Sequence, residues 1–193
     1  MKKIGITGGI GVGKTFVSKV FCKLGFPVFF ADIQAKKCMT ESLDLKNAIT
    51  IKFGNEIYKK GILQKEILGD IVFNDRLKLG QLNKLVHPFV QMKFEKWQKQ
   101  QTAPFVLKEA AILFESGAHI GLDGVICVTA PLQIRIQRVM QRDNCTKEDI
   151  IKRMENQMPQ DKKDQLSDFV IVNDGKEKLL PQIQAICKKI NAL

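Results

Sequence analysis

The chain has 193 residues and a mass of 21.8 kDa, so it is long enough to bury a core without disulfides or metal ions. Hydrophobic residues make up 45% of it and charged residues 26%, which excludes a disordered or collagen-like chain. The formal net charge of +11 favours polyanionic partners, which can be nucleic acid, anionic lipid or small phosphorylated ligands.

The first predicted elements form a strand–helix–strand unit. Residues 2–7 alternate and contain β-branched side chains, which predicts a short strand that ends in a glycine-rich turn. From Lys14 the apolar residues follow helical spacing as far as Gly25, a natural helix terminator. Residues 27–31 are typical of a second buried strand, so the unit predicts a parallel sheet with a right-handed crossover. Glycines follow the amino-terminal lysines where a signal peptide would be apolar, and no segment has membrane-spanning length, so we expect a cytoplasmic protein.

The stretch from 33 to 102 differs from the rest of the chain, because helical periodicity dominates it and strong strand signals are missing. We predict a helical insertion here, with Pro88 either in the first turn of a helix or at a kink. Strand signals alternate with helical ones in the rest of the chain, at 104–107, 124–129 and 168–173. This alternation predicts a doubly wound α/β fold, in which 1–32 and 103–193 form the core.

The turn after the first strand carries a phosphate-binding motif. Residues 8–15 are G-G-I-G-V-G-K-T and match G-x-x-x-x-G-K-[ST], with the required strand before them and helix after them. Glycines let successive backbone N–H groups converge on phosphate oxygens, and the helix N-terminus adds partial positive charge. Lys14 is expected to reach the β- and γ-phosphates, and the Thr15 hydroxyl is a hard oxygen ligand for Mg²⁺. The nucleotide-binding residues predicted in this phosphate loop (residues 8–15) and directly after it are Gly8, Gly9, Gly11, Val12, Gly13, Lys14, Thr15 and, through its main chain, Phe16.

Three classes of protein share the P-loop NTPase-type fold that this motif predicts: small-molecule kinases, regulatory GTPases and nucleic-acid-dependent ATPases. A GTPase should carry an N/T-K-x-D element, but residues 83–86 lack the Asp and residues 173–176 have the element out of order. A motor ATPase should carry four apolar residues followed by Asp, and residues 170–174 carry the Asp one position late. A nucleoside or nucleotide kinase fits best. A nucleic-acid-stimulated ATPase stays as the less favoured alternative, because one Trp and one Tyr offer little base stacking.

Asp32 ends the second predicted strand, and ligands of α/β sheets bind at the carboxyl ends of strands. A carboxylate in this place can accept a proton from an attacking hydroxyl, as in other kinases. The alternative is that Asp32 caps a helix that starts near Ile33, and the sequence does not separate the two roles.

A group of cationic side chains predicts a basic face; its members are Arg135, Arg138, Arg142, Lys162 and Lys163. The three arginines are spaced three and four residues apart, which places them on one side of a helix. Phosphoryl transfer needs cations around the γ-phosphate oxygens, so we predict a lid over about 135–165 and a contact of Arg138 with ATP. The alternative is a solvated basic face.

Three further side chains have two possible roles each. His87 precedes Pro88 in an apolar helix and is either a structural hydrogen-bonding residue or part of a site. Glu109 and Glu115 flank an apolar segment after the third main strand, and each can approach a metal ion or substrate, or serve as a cap or a surface charge.

Taken together, the motifs resemble the dephospho-coenzyme A kinase family. The T-G-G-I-G-x-G-K form of the phosphate loop is more specific than the general motif, and His-Pro at this distance sharpens the resemblance. The matching segments run the length of the chain and are residues 7–15, Ala31-Asp32, Leu85-Val86-His87-Pro88, Ile112-Leu113-Phe114-Glu115, Gln141-Arg142-Asp143 and Asn173-Asp174-Gly175.

The resemblance implies a reaction in which ATP phosphorylates the ribose 3′-hydroxyl of dephospho-coenzyme A, the last step of coenzyme A synthesis. It implies a nucleotide-binding core, a helical acceptor-binding domain over 33–102 and a lid. It also implies that Asp32 is the base and that Lys14 and Arg142 stabilise the transferring phosphoryl group. Thr15 would hold Mg²⁺.

The same resemblance implies contacts outside the phosphate loop. His87 and Glu115 would lie near the acceptor, and Asn173 and Gly175 near the adenine of ATP. Apart from ATP and dephospho-coenzyme A, we predict no nucleic-acid, membrane or obligatory protein partner.

Two positions depart from the family pattern. The family has Asp-Ala-Asp at the end of the second strand, whereas this chain has Phe30-Ala31-Asp32 and so lacks the first carboxylate. The family's Asp-x-Pro-Leu-Leu is replaced by residues 109–113, in which Glu109 can replace the Asp with a longer reach. Neither change removes a residue on which the predicted chemistry depends.

Overall fold

The computed structural model describes residues 1–73 and 75–192. In chain order its elements are β1 (Lys2–Thr7), α1 (Lys14–Lys23), β2 (Val28–Phe30), α2 (Ala31–Glu41), α3 (Leu43–Phe53), a 3₁₀ turn (Asn55–Ile57), β3 (Tyr58–Lys59), β4 (Ile62–Leu63), α4 (Lys65–Phe73), α5 (Arg76–Gln98), β5 (Phe105–Glu109), β6 (Gly124–Thr129), α6 (Leu132–Asp143), α7 (Lys147–Glu155), α8 (Gln160–Gln165), β7 (Phe169–Val172) and α9 (Leu179–Ala192). The chain divides into a larger unit, residues 1–29 with the chain from 100 onward, and a smaller unit, residues 30–99. The helical periodicity of the sequence predicts the insertion over 33–102, and the smaller unit covers 30–99.

The larger unit is built on a five-stranded sheet in the order β2-β5-β1-β6-β7. Strand β1 pairs in parallel with both β5 and β6, and β6 pairs in parallel with β7. Both faces of the sheet are buried: Val106 and Leu107 of β5, and Ile126 and Cys127 of β6, alternate between the two faces and are all fully buried. Parallel pairing brings the carboxyl ends of these strands to one edge, where the phosphate loop follows β1. The predicted α/β fold with a parallel sheet is confirmed.

The smaller unit is helical, with one short addition that the sequence analysis missed. The strands β3 and β4 form an antiparallel hairpin with Tyr58 opposite Leu63, and two residues per strand are too few to give a periodic signal. Pro88 lies inside the 23-residue helix α5, so the prediction of a first-turn position is wrong. A hydrogen bond from the Tyr58 hydroxyl to the Met39 carbonyl (2.8 Å) joins the hairpin to α2.

Among residues 1–73 and 75–192 there is no helix that combines the length and the apolar character needed to cross a bilayer.

Candidate active site

The backbone of the phosphate loop has conformations that favour glycine. Gly8, Gly11 and Gly13 have φ values of 143°, 81° and 88°, in the region that L side chains rarely adopt. The space is also closed, because a Cβ on Gly8 would lie 2.3 Å from the Val128 carbonyl oxygen. A Cβ on Gly11 would lie 2.4 Å from the carbonyl oxygen of Arg135. Glycine is therefore required by the shape of the loop as well as by the approach of a ligand.

The loop leads directly into helix α1, which begins at Lys14 without a side-chain cap at Gly13. The positive end of the helix dipole therefore faces the loop, as anion binding requires. The Lys14 ammonium lies across the loop and donates a hydrogen bond to the Gly8 carbonyl at 2.9 Å. This part of the site has the donors that a polyphosphate needs.

Hard oxygen donors lie beside the loop. The Thr15 hydroxyl donates to Glu109 Oε1 at 3.2 Å, and Glu109 is a buried carboxylate at the carboxyl end of β5. Hydroxyl and carboxylate oxygens suit Mg²⁺, which is usually held by one or two protein ligands together with phosphates and water. The described residues contain no cluster of three or more His, Cys, Asp or Glu side chains that would hold a metal ion without such help. The donor set therefore fits a magnesium ion that arrives with a nucleotide.

Two arginines of α6 hold the outer side of the loop. Arg135 Nε donates to the Ile10 carbonyl at 2.9 Å. Arg138 donates to the Val12 carbonyl at 3.4 Å and to the Asn173 carbonyl at 2.9 Å. Arg135 is only 8% exposed, and burial lowers the pKa of its guanidinium. The alternative of a solvated basic face is therefore wrong for Arg135.

The third arginine of α6 has a different environment. Arg142 makes a two-pronged ion pair with Asp143, with distances of 2.7 Å from Nε to Oδ1 and 2.9 Å from Nη2 to Oδ2. Arg153 of α7 binds the same carboxylate at 2.9 Å. The hydrogen bond with Arg142 is the largest cause that holds the pKa of Asp143 below its usual value. The Arg142 side chain is 63% exposed, so it can leave this pair at little steric cost.

Asn173 and Gly175 follow the last strand, β7. The Asn173 side chain donates to the Val12 carbonyl at 2.8 Å, and a Cβ on Gly13 would lie 2.3 Å from its Nδ2 atom. Gly175 has a φ of 84° and lies in a turn. In this turn the Asp174 carboxylate accepts hydrogen bonds from the main-chain amides of Lys176 and Glu177. The structure thus brings Asn173 against the phosphate loop.

Lys163 is buried and forms an ion pair with the partly exposed Glu115. The Lys163 side chain is 0% exposed, and its ammonium lies 2.7 Å from Glu115 Oε1 and donates to the Ala111 carbonyl at 2.6 Å. Glu115 Oε1 also accepts a hydrogen bond from the Met158 amide at 2.8 Å. Because Lys163 is fully buried and ion-paired, the alternative of a solvated basic face is wrong for it. The acceptor contact of Glu115 stays a prediction.

Asp32 and His87 belong to the smaller unit. Asp32 is exposed in the first turn of α2, two residues after the end of β2. The residue at the cap position of α2 is Phe30, so the alternative that Asp32 caps the helix is wrong. His87 is half-buried in the middle of α5.

Two residues that the sequence analysis missed contact the start of the phosphate loop. The Gly9 amide donates to Gln160 Oε1 at 2.8 Å, and the Ile10 amide donates to Gln157 Oε1 at 2.9 Å. A single glutamine in a polar segment has no motif that would distinguish it, and 151 positions separate Gly9 from Gln160.

The parallel sheet, the glycine loop and the helix that follows it define a P-loop kinase fold. A shikimate kinase from Bacteroides thetaiotaomicron shares this fold with a TM-score of 0.57 at 13% identity, over 98% of both chains. A dephospho-CoA kinase from Campylobacter jejuni is more similar in sequence, with 31% identity over 98% of this chain and 96% of that one, and a TM-score of 0.64. A crystal structure from Thermus thermophilus has a TM-score of 0.85 at 30% identity, over 97% of both chains.

Comparison with known protein families identifies one family within the P-loop kinases. Residues 2–178 match the model of the dephospho-CoA kinase family. A dephospho-CoA kinase from Bacteroides fragilis is 36% identical over 182 residues, which cover 94% of this chain and 89% of the relative. One from Chlorobium chlorochromatii is 38% identical over 185 residues, which cover 92% and 87%. The chain belongs to the dephospho-CoA kinase family, and the resemblance seen in its motifs is confirmed.

Proposed function

We propose that this protein transfers the γ-phosphoryl group of ATP to the ribose 3′-hydroxyl of dephospho-coenzyme A, which yields coenzyme A and ADP. The observation that carries this proposal is a complete phosphate loop within a chain that matches the dephospho-CoA kinase family over residues 2–178. In the reaction a bond forms between the 3′-oxygen and the γ-phosphorus. The bond from that phosphorus to the β–γ bridging oxygen breaks, and ADP leaves.

The phosphate loop and its neighbours form the nucleotide side of the proposed site. The loop amides and Lys14 bind the phosphates, and Asn173 and Gly175 lie on the turn proposed to approach the adenine. Thr15 and Glu109 would hold Mg²⁺, because their oxygens are 3.2 Å apart and one belongs to a buried carboxylate. When bound, the metal neutralises charge on the phosphate oxygens.

Asp32 is the proposed base. It lies in an exposed first turn directly after β2, and α/β sheets bind their ligands outside the carboxyl ends of strands. Its carboxylate would accept the proton that the 3′-hydroxyl loses as the new bond forms. Arg142 would leave Asp143 and supply positive charge to the transferring group, as an arginine does in related phosphoryl transfers.

The smaller unit is the proposed acceptor-binding part, and His87 is the residue within it that we expect near dephospho-coenzyme A. Glu115 keeps its proposed acceptor contact as well, although Lys163 already neutralises its charge. A cytoplasmic location stays a prediction from the sequence.

The test compares acceptors and the base in one experiment. ADP release with Mg²⁺ and ATP should be rapid with dephospho-coenzyme A and at background level with adenosine, deoxyadenosine and shikimate. Asp32→Asn should lower kcat by about 10²–10⁴-fold, because the side chain keeps its size and loses its ability to accept the proton. An Asp44→Asn variant is the matched control, since Asp44 occupies the first turn of the neighbouring helix α3. Faster turnover of another acceptor would reject the proposed substrate, and wild-type turnover by Asp32→Asn would reject the base.

A further inference from the structure

Two main-chain amides near the start of the phosphate loop are held by side chains of a distant segment. Gly9 N–H and Ile10 N–H donate to Gln160 Oε1 and Gln157 Oε1, at 2.8 Å and 2.9 Å. Both glutamines come from one short segment between the end of α7 and the first residue of α8. The general phosphate-loop motif specifies neither glutamine, so these contacts go beyond what the motif predicts.

The amide of Gln160 has one defined orientation. Its Nε2 atom donates to the Asp164 carboxylate at 2.9 Å and to the Val128 carbonyl at 3.2 Å. Both partners can only accept, so the oxygen of the amide must point to Gly9 N–H. Gln160 therefore joins the loop to the carboxyl end of strand β6 through one rigid side chain.

Gly9 is a glycine for a reason other than backbone conformation. Its φ is not positive, but a Cβ would lie 2.4 Å from a terminal nitrogen of Arg135 and 2.9 Å from Gln160 Oε1. The missing side chain thus lets Arg135 and Gln160 lie directly against the loop. Both main-chain polar groups of Ile10 are bonded to side chains: its N–H donates to Gln157, and its carbonyl accepts from Arg135.

The segment that carries the glutamines is itself anchored to the larger unit. Lys163, in α8 with Gln160, is fully buried and bonds to the Ala111 carbonyl and to Glu115. Glu115 in turn accepts from the amide of Met158, the residue after Gln157. The start of the loop is therefore held in one shape before a nucleotide arrives.

We propose that Gln157 and Gln160 are positioning residues of the nucleotide site, which fix the start of the phosphate loop in its ligand-binding shape. They act through the loop and need not touch ATP. Preorganised donors stabilise developing charge without reorganising, so loss of this support weakens binding of ATP and slows transfer. The inference rests on the nucleotide-binding half of the proposed function and not on the identity of the acceptor.

The test uses Gln157→Met and Gln160→Met, which keep the length of the side chain and remove its hydrogen-bonding oxygen. Calorimetric titration with Mg²⁺ and ATP should show a Kd raised about tenfold in each variant, the effect of one lost hydrogen bond that orients a binding group. With dephospho-coenzyme A as acceptor, kcat should fall by a similar factor, whereas KM for the acceptor should stay within about twofold.

The matched control is Asp168→Ala. Asp168 Oδ2 accepts a hydrogen bond from the Val125 amide at 2.7 Å, which is another long-range contact from a side chain to the main chain, but at the amino end of β6. This variant should lose a similar amount of thermal stability and keep the Kd for ATP. An unchanged Kd in both glutamine variants, or an equal loss of affinity in Asp168→Ala, would overturn the inference. Failure of the wild type to phosphorylate dephospho-coenzyme A would reject the proposed substrate, while the ATP titration would still decide the role of the glutamines.

Discussion

The two ends of helix α6 differ in how they use the same side chain. Near its start, Arg135 is buried and bonded to the carbonyl of Ile10, and one turn later Arg138 bonds to Val12 and Asn173. At its last turn, Arg142 is largely exposed and bonded to its neighbour Asp143. The arginines near the start of α6 thus bind main-chain carbonyls, whereas Arg142 at its end is exposed to solvent, where a ligand can reach it.

This difference explains how one helix can hold the phosphate loop and still keep one arginine at the surface. The backbone carbonyls of a phosphate loop need hydrogen-bond donors of their own, whichever of its N–H groups bind the ligand. Arg135 and Arg138 satisfy that need within the larger unit. The ion pair of Arg142 with Asp143 is near the surface, where such pairs contribute little, so a phosphate can compete for the guanidinium.

The largest effect is expected at the exposed end. Arg142→Met should lower kcat by about 10³-fold, because an arginine that stabilises the transferring phosphoryl group contributes at least that factor in related enzymes. The melting temperature should stay within about 2 °C of the wild type, since the side chain is mostly in solvent. Arg153→Met is the matched control, as Arg153 shares Asp143 with Arg142. Equal kcat losses in the two variants, measured at saturating substrates, would contradict the special role of Arg142.

At the buried end of α6, substitution should lower stability more than it lowers turnover. Arg135→Met removes a buried charged donor and leaves the Ile10 carbonyl without it, so the free energy of unfolding should fall by about 2–3 kcal/mol. Differential scanning calorimetry should show a melting temperature lowered by about 4–10 °C. Its kcat should fall by about tenfold, much less than we expect for Arg142→Met. If Arg135→Met melts like the wild type, the buried end of α6 does not hold the loop.

The smallest effect is expected from the carboxylate that holds Arg142. Asp143→Asn should change the free energy of unfolding by less than about 1 kcal/mol, because both ion pairs of Asp143 are near the surface. The pKa of Asp143 is lowered in the folded protein, so the pair stabilises the fold above the ordinary carboxyl pKa of about 4 and loses that effect as the pH falls through the folded value. Urea unfolding at pH 7 and at about pH 3 should therefore show the difference between variant and wild type shrinking at the lower pH. A difference that grows on acidification would have the wrong sign.

Much of the larger unit could be predicted because its signals are local. The G-x-x-x-x-G-K-[ST] motif predicts the loop, and the change from alternating to helical periodicity at Lys14 predicts the helix that begins there. The spacing of the arginines likewise predicts a shared helix, α6. These features depend on residues that are close in sequence.

The contacts around the loop could not be predicted in the same way. Arg135 and Arg142 have equal weight as members of a periodic pattern, and only the packing of α6 on the loop separates a buried residue from an exposed one. A lysine is usually a surface residue, and Lys163 is buried only because it pairs with Glu115, 48 positions earlier. Gln160 belongs to no sequence motif or periodic pattern that would predict its contact with Gly9. Long-range polar contacts of this kind become visible only in three dimensions.

If this site phosphorylates the ribose 3′-hydroxyl of dephospho-coenzyme A, the product itself carries the proof. The most direct measurement is phosphorus and proton NMR of the product formed by the purified protein from Mg²⁺, ATP and dephospho-coenzyme A. We expect one new phosphate monoester coupled to the ribose 3′ proton, in amounts equal to the ADP released. ADP release without a new ester, or an ester at any other position, would contradict it.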